Sequence, residues 1–280
     1  MNQLSSQGFD NRPDEGLDIR DSIWFAKSRT FGTLIVGSTF AATDRIAGSN
    51  LTQTSTFAKY AEVQDTGFGT FLRSARNGEL TTSDLTWRRI IGAGGDQPGE
   101  SQRGFELVKY VTPTWNGFTG VATFVARDFW DSALRYKGAL GRFELAAGIG
   151  YLQLLPGSKS RQVCAAANLV IYGGADTECR QASGSVSILD RPTGLFFNLG
   201  AGLTIDGLIL ATPRYENTDV DDSQIFWAAQ AGIERRFNGM GKTTLYAEHY
   251  TYNGGPSVAR IVGPGDSLNP TGTGDWAVWH

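Results

Sequence analysis

The sequence predicts an all-β protein in which antiparallel strands form a transmembrane up-and-down β-barrel. Three observations support this prediction. Apolar and polar residues alternate with a period of two along most of the 280-residue chain, as expected of strands with one face in an apolar medium. Short and long connections alternate between these segments along the chain. The chain has no run of about 20 apolar residues, the length of a membrane-spanning helix.

The alternation is clearest in residues 195–205. Leu195, Phe197 and Leu199 share one face there, whereas Asn198 and Gly200 lie on the other. A helix, with its period of 3.6 residues, would not separate these side chains in this way. Eleven strands are predicted, at about residues 17–28, 31–40, 104–112, 118–127, 131–137, 142–152, 182–189, 194–205, 223–237, 242–252 and 274–280.

The order of the connections is the second observation. The short connections are 29–30, 113–117, 138–141, 190–193 and 238–241, and those between them are 41–103, 128–130, 153–181, 206–222 and 253–273. All but one of the second set are long. Two short connections contain Asn-Gly, which favours tight hairpins. One rim with tight turns and one with long loops is typical of membrane barrels.

The connection at residues 41–103 is much longer than an ordinary structureless loop, which has at most roughly 12–15 residues. We expect a lid, a plug or a separate element there.

The composition argues against nucleic-acid binding and catalysis as functions. The net charge of −3 disfavours nucleic acid as a partner. Only two histidines are present, and nothing in the chain predicts a cofactor, a metal site or an enzyme. His249 shares a face with Leu245 and is expected to face lipid or a subunit.

Several segments resemble the trimeric general porins of Gram-negative outer membranes, in the alphaproteobacterial branch. The matching segments are 18–21 with 31–37, 42–44, 106–118, 130–138 with 143–150, and 232–239 with 241–248. For example, the hairpin at 106–118 is similar to a porin hairpin that carries an aromatic residue, a Thr-Pro pair and a Gly-Phe pair. The shared order of these segments covers most of residues 10–252.

The resemblance implies a 16-strand barrel in the outer membrane, forming a water-filled channel for passive diffusion of small hydrophilic solutes and ions. It also implies a homotrimer in contact with outer-membrane lipid and lipopolysaccharide. Residues 41–103 would be an in-folded constriction loop, and 153–181 a long extracellular loop. The eleven strands would be the fourth to the fourteenth, so we expect a partial barrel that cannot close alone.

In the same family, acids on the constriction loop face bases on the pore wall. Strand parity assigns the wall bases as Arg20, Lys109, Arg127, Arg135, Lys137, Arg142 and Arg236. The loop acids are Asp44, Glu62, Asp65, Glu79 and Asp84. The alternative for each of them is an ordinary solvated surface charge.

Three further alternatives stay open. Cys164 and Cys179 are expected to form a disulfide in an exported protein, and otherwise two free thiols. Asp219, Asp221 and Asp222 favour a solvated acidic loop over a calcium site. The alternative to the channel is a secreted, soluble β-sandwich binding module of a lectin-like kind, in which a second sheet would cover the apolar faces.

Overall fold

The computed structural model describes residues 21–57, 60–61, 99, 101, 105–155, 179–206, 223–239, 241–253 and 275–279. These residues form one antiparallel sheet and a short helix. The strands are β1 (Ser22–Ser28), β2 (Gly32–Thr39), β3 (Phe105–Val111), β4 (Phe118–Val125), β5 (Phe129–Leu140), β6 (Phe143–Leu154), β7 (Cys179–Asp190), β8 (Leu195–Asp206), β9 (Ser223–Asn238), β10 (Gly241–Asn253) and β11 (Asp275–Trp279), and the helix is α1 (Thr54–Phe57).

The eleven strands pair in chain order, from β1 to β11. Each strand is antiparallel to its neighbours, so the sheet is an up-and-down meander. The all-β, antiparallel, up-and-down part of the predicted fold is therefore confirmed, and each predicted strand overlaps an observed one. Within the described residues, no helix has the length and apolar composition needed to span a membrane.

The Asn-Gly hairpin between β3 and β4 has the geometry that its sequence predicts. Asn116 and Gly117 both have positive φ, 47° and 87°, which is the backbone of a tight two-residue hairpin turn. Trp115 and Phe118 exchange backbone hydrogen bonds of 2.8 and 2.9 Å across it. A Cβ on Gly117 would lie 2.7 Å from the carbonyl oxygen of Lys137, so glycine is required.

Three predicted connections are wrong in their bounds by two residues or more. The connection expected at 128–130 is the turn 126–128, because Val125 pairs with Phe129. The connection expected at 138–141 is the two-residue turn 141–142, because Gly138 pairs with Leu145 inside the sheet. Gly141, with φ of 59°, makes that turn instead.

The connection expected at 153–181 was predicted to begin too early and to end too late. Strand β6 continues to Leu154 and β7 begins at Cys179, with Gln153 paired to Arg180. The added residues are strands because Leu154 and Cys179 bury their side chains in an apolar cluster at the strand ends. Residues 156–178, which make up most of the predicted loop, lie outside the described ranges.

One face of the sheet, the open face, carries large apolar side chains that are exposed. The register places them in rows across neighbouring strands; for example, Trp24, Val36, Val108, Phe124 and Trp130 are successive partners from β1 to β5. The other exposed members of this face include Leu34, Tyr110, Leu134, Ile149, Ile188, Phe197, Leu199, Ile225, Trp227 and Leu245. Among the described residues, none of the strands covers this surface, and exposed apolar patches of this extent are typical of interaction sites.

The opposite face, the loop-bearing face, buries many polar side chains as well as apolar ones. Its buried polar side chains are Thr123, Asp131, Gln181, Ser183, Ser187, Asn198, Thr204, Gln224, Gln230 and Glu234. Residues that follow β2 cover this face. So many buried polar side chains beside a face of exposed apolar ones are unusual for a water-soluble protein.

A small apolar cluster closes the loop-bearing face where β2 ends. Phe105 and Phe129 pack edge to face there, with ring centroids 4.7 Å apart. Ala41, Leu107, Val125, Leu152, Leu154 and Cys179 complete the cluster. Cys179 is 1% exposed, and none of the described residues is a free cysteine. Cys164 lies outside the described residues, so the Cys164–Cys179 pairing stays a prediction.

We expect alkylation and intact-mass measurement of the unreduced protein to show no reactive thiol, and the reduced protein to take up two labels. Closing a loop of this length stabilises the folded state by about 3 kcal/mol in the chain-entropy model. Uptake of two labels by the folded, unreduced protein would contradict the pairing.

Candidate functional site

The candidate site is the loop-bearing face together with the segment that lies on it. Residues 40–57, here called the anchored segment, leave the end of β2 and cross the sheet as far as β9. Side chains of β3, β5, β7 and β9 hold the segment in succession, and most of these bonds go to its backbone. The predicted in-folded loop spans residues 41–103, and the anchored segment is the main part of it that the structure describes.

Two cations hold the start of the anchored segment. The Lys109 ammonium on β3 donates to the Phe40 carbonyl oxygen at 2.6 Å. The Arg135 guanidinium on β5 donates to the carbonyl oxygens of Ala42, at 3.1 Å, and Asp44, at 2.6 Å. A hydrogen bond to a charged group typically contributes about 1.5–3 kcal/mol. Both predicted wall bases therefore fix the backbone of the segment.

Asp131 on β5 is the most buried charged anchor, with 1% of its surface exposed. One carboxylate oxygen accepts from the Thr43 amide at 2.7 Å and from the Thr43 hydroxyl at 2.8 Å. The Ser101 amide in turn donates to the Thr43 hydroxyl oxygen at 3.2 Å. Asp131 thereby joins the outgoing segment to a residue that returns towards β3.

Serines of β7 hold the middle of the segment. The Ser185 hydroxyl donates to the Ile46 carbonyl oxygen at 2.5 Å and accepts from the Ser49 amide at 3.0 Å. The Ser187 hydroxyl accepts from the Leu51 amide at 3.0 Å. These short side chains let the backbone approach the sheet while its polar groups stay bonded.

Acidic and amide side chains of β9 hold the far end. One Glu234 carboxylate oxygen accepts from the Gln53 amide at 2.7 Å, and the other accepts from the Lys242 ammonium at 2.9 Å. The Thr54 hydroxyl, which opens α1, donates to the Gln230 side-chain oxygen at 2.8 Å. This end of the segment is therefore fixed by a partly buried network.

Glycines in the sheet make room for the anchored segment. A Cβ on Gly148 would lie 2.6 Å from Ile46 Cδ1, and one on Gly200 would lie 2.2 Å from the Ala47 carbonyl oxygen. Both distances are shorter than real Cβ contacts. Ile46 is fully buried in this groove, which stabilises the attachment by about 1.5–3 kcal/mol.

The structure brings together only some of the predicted site residues. Lys109, Arg135 and Asp44 meet at the start of the anchored segment, as described above. Lys137 on β5 and Arg236 on β9 fall on the loop-bearing side of their strands but are exposed. The predicted residues outside the described ranges are Arg20, Glu62, Asp65, Glu79, Asp84 and Cys164.

Two predicted wall bases lie in turns instead of on the wall. Arg127 is exposed between β4 and β5, because Val125 pairs with Phe129 and leaves a three-residue turn. Arg142 occupies the turn after β5, where its guanidinium forms a two-pronged ion pair with Asp190. The hydrogen bonds that Arg142 donates to the Asp190 carboxylate raise the pKa of Arg142 above its ordinary value.

Sequence reasoning missed the acidic anchors Asp131 and Glu234. Both lie on the polar side of their strands by simple alternation, so parity could have placed them on the same face as Arg135. The expected arrangement of loop acids against wall bases gave them no role. Sequence reasoning also missed Arg45, an exposed cation on the anchored segment.

Comparisons with protein-family models, with curated proteins and with solved structures found no match for this chain.

Replacing Asp131 with alanine should release the start of the anchored segment. Two buried hydrogen-bond donors of Thr43 would lose their acceptor, at a cost of about 1–3 kcal/mol each. We expect limited proteolysis to cut within residues 40–57 faster than in the wild-type protein. Glu106→Ala is the control, because Glu106 is an exposed carboxylate on the open face of β3, on the other side of the sheet from the segment. Equal cleavage of the Asp131 variant and the wild type would contradict the role given to Asp131.

Replacing Gly200 with alanine should displace the segment by steric conflict. The new Cβ would press on the Ala47 carbonyl, at a cost of roughly 1–3 kcal/mol, as for other overpacked sites. Gly48→Ala is the matched control, since a Cβ there meets nothing within 4 Å. We expect the denaturant midpoint to fall for the Gly200 variant only. Similar midpoints for both variants would show that the groove is not tightly filled.

Proposed function

We propose that this chain forms the wall and constriction of an outer-membrane porin, a water-filled channel for passive diffusion of small hydrophilic solutes and ions. Within this proposal the sheet belongs to a transmembrane barrel of the 16-strand type. The open face meets lipid, and the loop-bearing face lines the lumen. The function requires no catalytic group or cofactor.

The distribution of polarity between the two faces carries the proposal. The open face exposes aromatic and aliphatic side chains such as Leu134 and Ile149, which are 47% and 66% exposed. The other face buries hydroxyls, amides and carboxylates, such as those of Ser187, Gln230 and Asp131, together with the apolar cluster near the end of β2. A barrel in a membrane needs this arrangement, because its outside is in hydrocarbon and its lumen holds water.

The alternative of a secreted, soluble β-sandwich has less support. A sandwich buries its apolar face against a second sheet about 10 Å away. The described residues form one sheet, and none of their strands packs on the open face. The apolar side chains of that face would therefore lie in water, at a cost of about 25 cal/mol for each Å² left exposed.

Strand lengths also support a membrane span. A tilted transmembrane strand needs about 9–11 residues. Strands β5, β6, β7 and β8 have 12 residues each, and β9 and β10 have 16 and 13. The six consecutive long strands in the middle of the sheet are sufficient to cross a bilayer.

The anchored segment supplies the constriction in this proposal. Because it crosses the loop-bearing face from β3 to β9, it would occupy part of the lumen and restrict passage by size. Its many side-chain bonds to the sheet make it a fixed element. The homotrimer, the outer-membrane location and contact with lipopolysaccharide rest on the resemblance described above.

Cysteine accessibility tests the proposed orientation of the two faces. Leu134→Cys on the open face and Lys137→Cys on the loop-bearing face form a matched pair on the same strand. Both would be made with Cys164 and Cys179 replaced by serine, in the protein expressed from its complete reading frame. In outer membranes, a water-soluble maleimide should label position 137 at least tenfold faster than position 134. Equal and rapid labelling of both positions would contradict burial of the open face in lipid.

Conductance tests the proposed channel. The protein from the complete reading frame should give discrete current steps in planar bilayers. Loosening the constriction by Asp131→Ala should raise the step size or its fluctuation, whereas Glu106→Ala on the open face should leave it unchanged. A properly folded, membrane-inserted protein without any current steps would overturn the proposal.

A further inference from the structure

Arg45 lies in a strained turn of the anchored segment. Its φ is 52°, in the left-handed region that residues with a Cβ seldom adopt. The Ile46 amide donates to the Thr43 carbonyl oxygen at 3.2 Å and closes the turn. Strain of this kind persists only where the surroundings fix it, and it is often found at functional positions.

The residues on both sides of Arg45 are fixed to the sheet. Thr43 is bonded to Asp131, and the Asp44 carbonyl is held by Arg135. Ile46 is fully buried in the glycine groove. With its neighbours held in this way, the Arg45 side chain is exposed instead of packed on the sheet.

The charge of Arg45 is available to a passing solute. Nearby Lys109 and Arg135 donate to backbone carbonyls of the segment, which reduces their access to the opening. Asp44 is half-buried and lies within electrostatic reach of Lys109. In the described part of the chain, Arg45 has no ion pair.

We propose that Arg45 is a selectivity-determining residue that favours small inorganic anions at the constriction. The inference rests on the proposed channel function and assigns one cation of that site. The bonds from the sheet fix the turn, and in this turn the Arg45 side chain is exposed. Fixed charges at a narrow opening select ions by sign.

The test is the reversal potential under a potassium chloride gradient, with the protein from its complete reading frame in planar bilayers. Arg45→Asn removes the charge and tolerates positive φ, so the turn is retained. Arg45→Lys keeps the charge. Arg29→Asn is the control, since Arg29 is an exposed arginine in the turn between β1 and β2. A unit charge about 6 Å from an ion in water changes its local concentration roughly threefold.

We expect Arg45→Asn to lower the chloride-to-potassium permeability ratio about tenfold, because the charge raises the chloride concentration and lowers the potassium concentration by roughly threefold each. Arg45→Lys and Arg29→Asn should keep the wild-type ratio. A conducting Arg45→Asn channel with an unchanged ratio would overturn the role of Arg45 and leave the channel proposal intact. A wild-type protein that inserts without conducting would overturn the channel proposal itself.

Discussion

The structure depends on the attachment of residues 40–57 to the polar face of the sheet. Asp131, Arg135, Ser185 and Glu234 each bind a backbone group of this segment. A polar face without these bonds would need water or other partners, because buried polar groups must be hydrogen-bonded. The segment and the face therefore supply each other's hydrogen-bond partners. Large apolar side chains are left exposed on the open face, and the proposed channel function rests on this difference between the two faces.

Alternation predicted the fold well because it reports directly which face of a strand meets which medium. The hairpin at Asn116-Gly117 was predictable for a similar reason, since its conformation is set by two residues. The errors in strand bounds are local. Gly138 suggested a turn, yet its pairing with Leu145 was decided by the neighbouring strand. Likewise, Gln153 and Arg180 join strands because their neighbours bury an apolar cluster.

The site was less predictable than the fold. Parity placed Lys109 and Arg135 on the correct face, but it could not show that they bind main-chain carbonyls. That information depends on the path of a segment that is far away in sequence from β3 and β5. The same limitation hid Asp131, whose acceptor role appears only when Thr43 is brought to it. Arg45 was missed because nothing in its local sequence predicts a backbone with positive φ at this position.

The most direct measurement is an electron cryomicroscopy structure of the protein from its complete reading frame in lipid nanodiscs. The account predicts that Trp130, Leu134 and Ile149 face the lipid belt while residues 40–57 lie inside a closed, water-filled barrel. A water-soluble particle in which another protein layer covers those three side chains would contradict it.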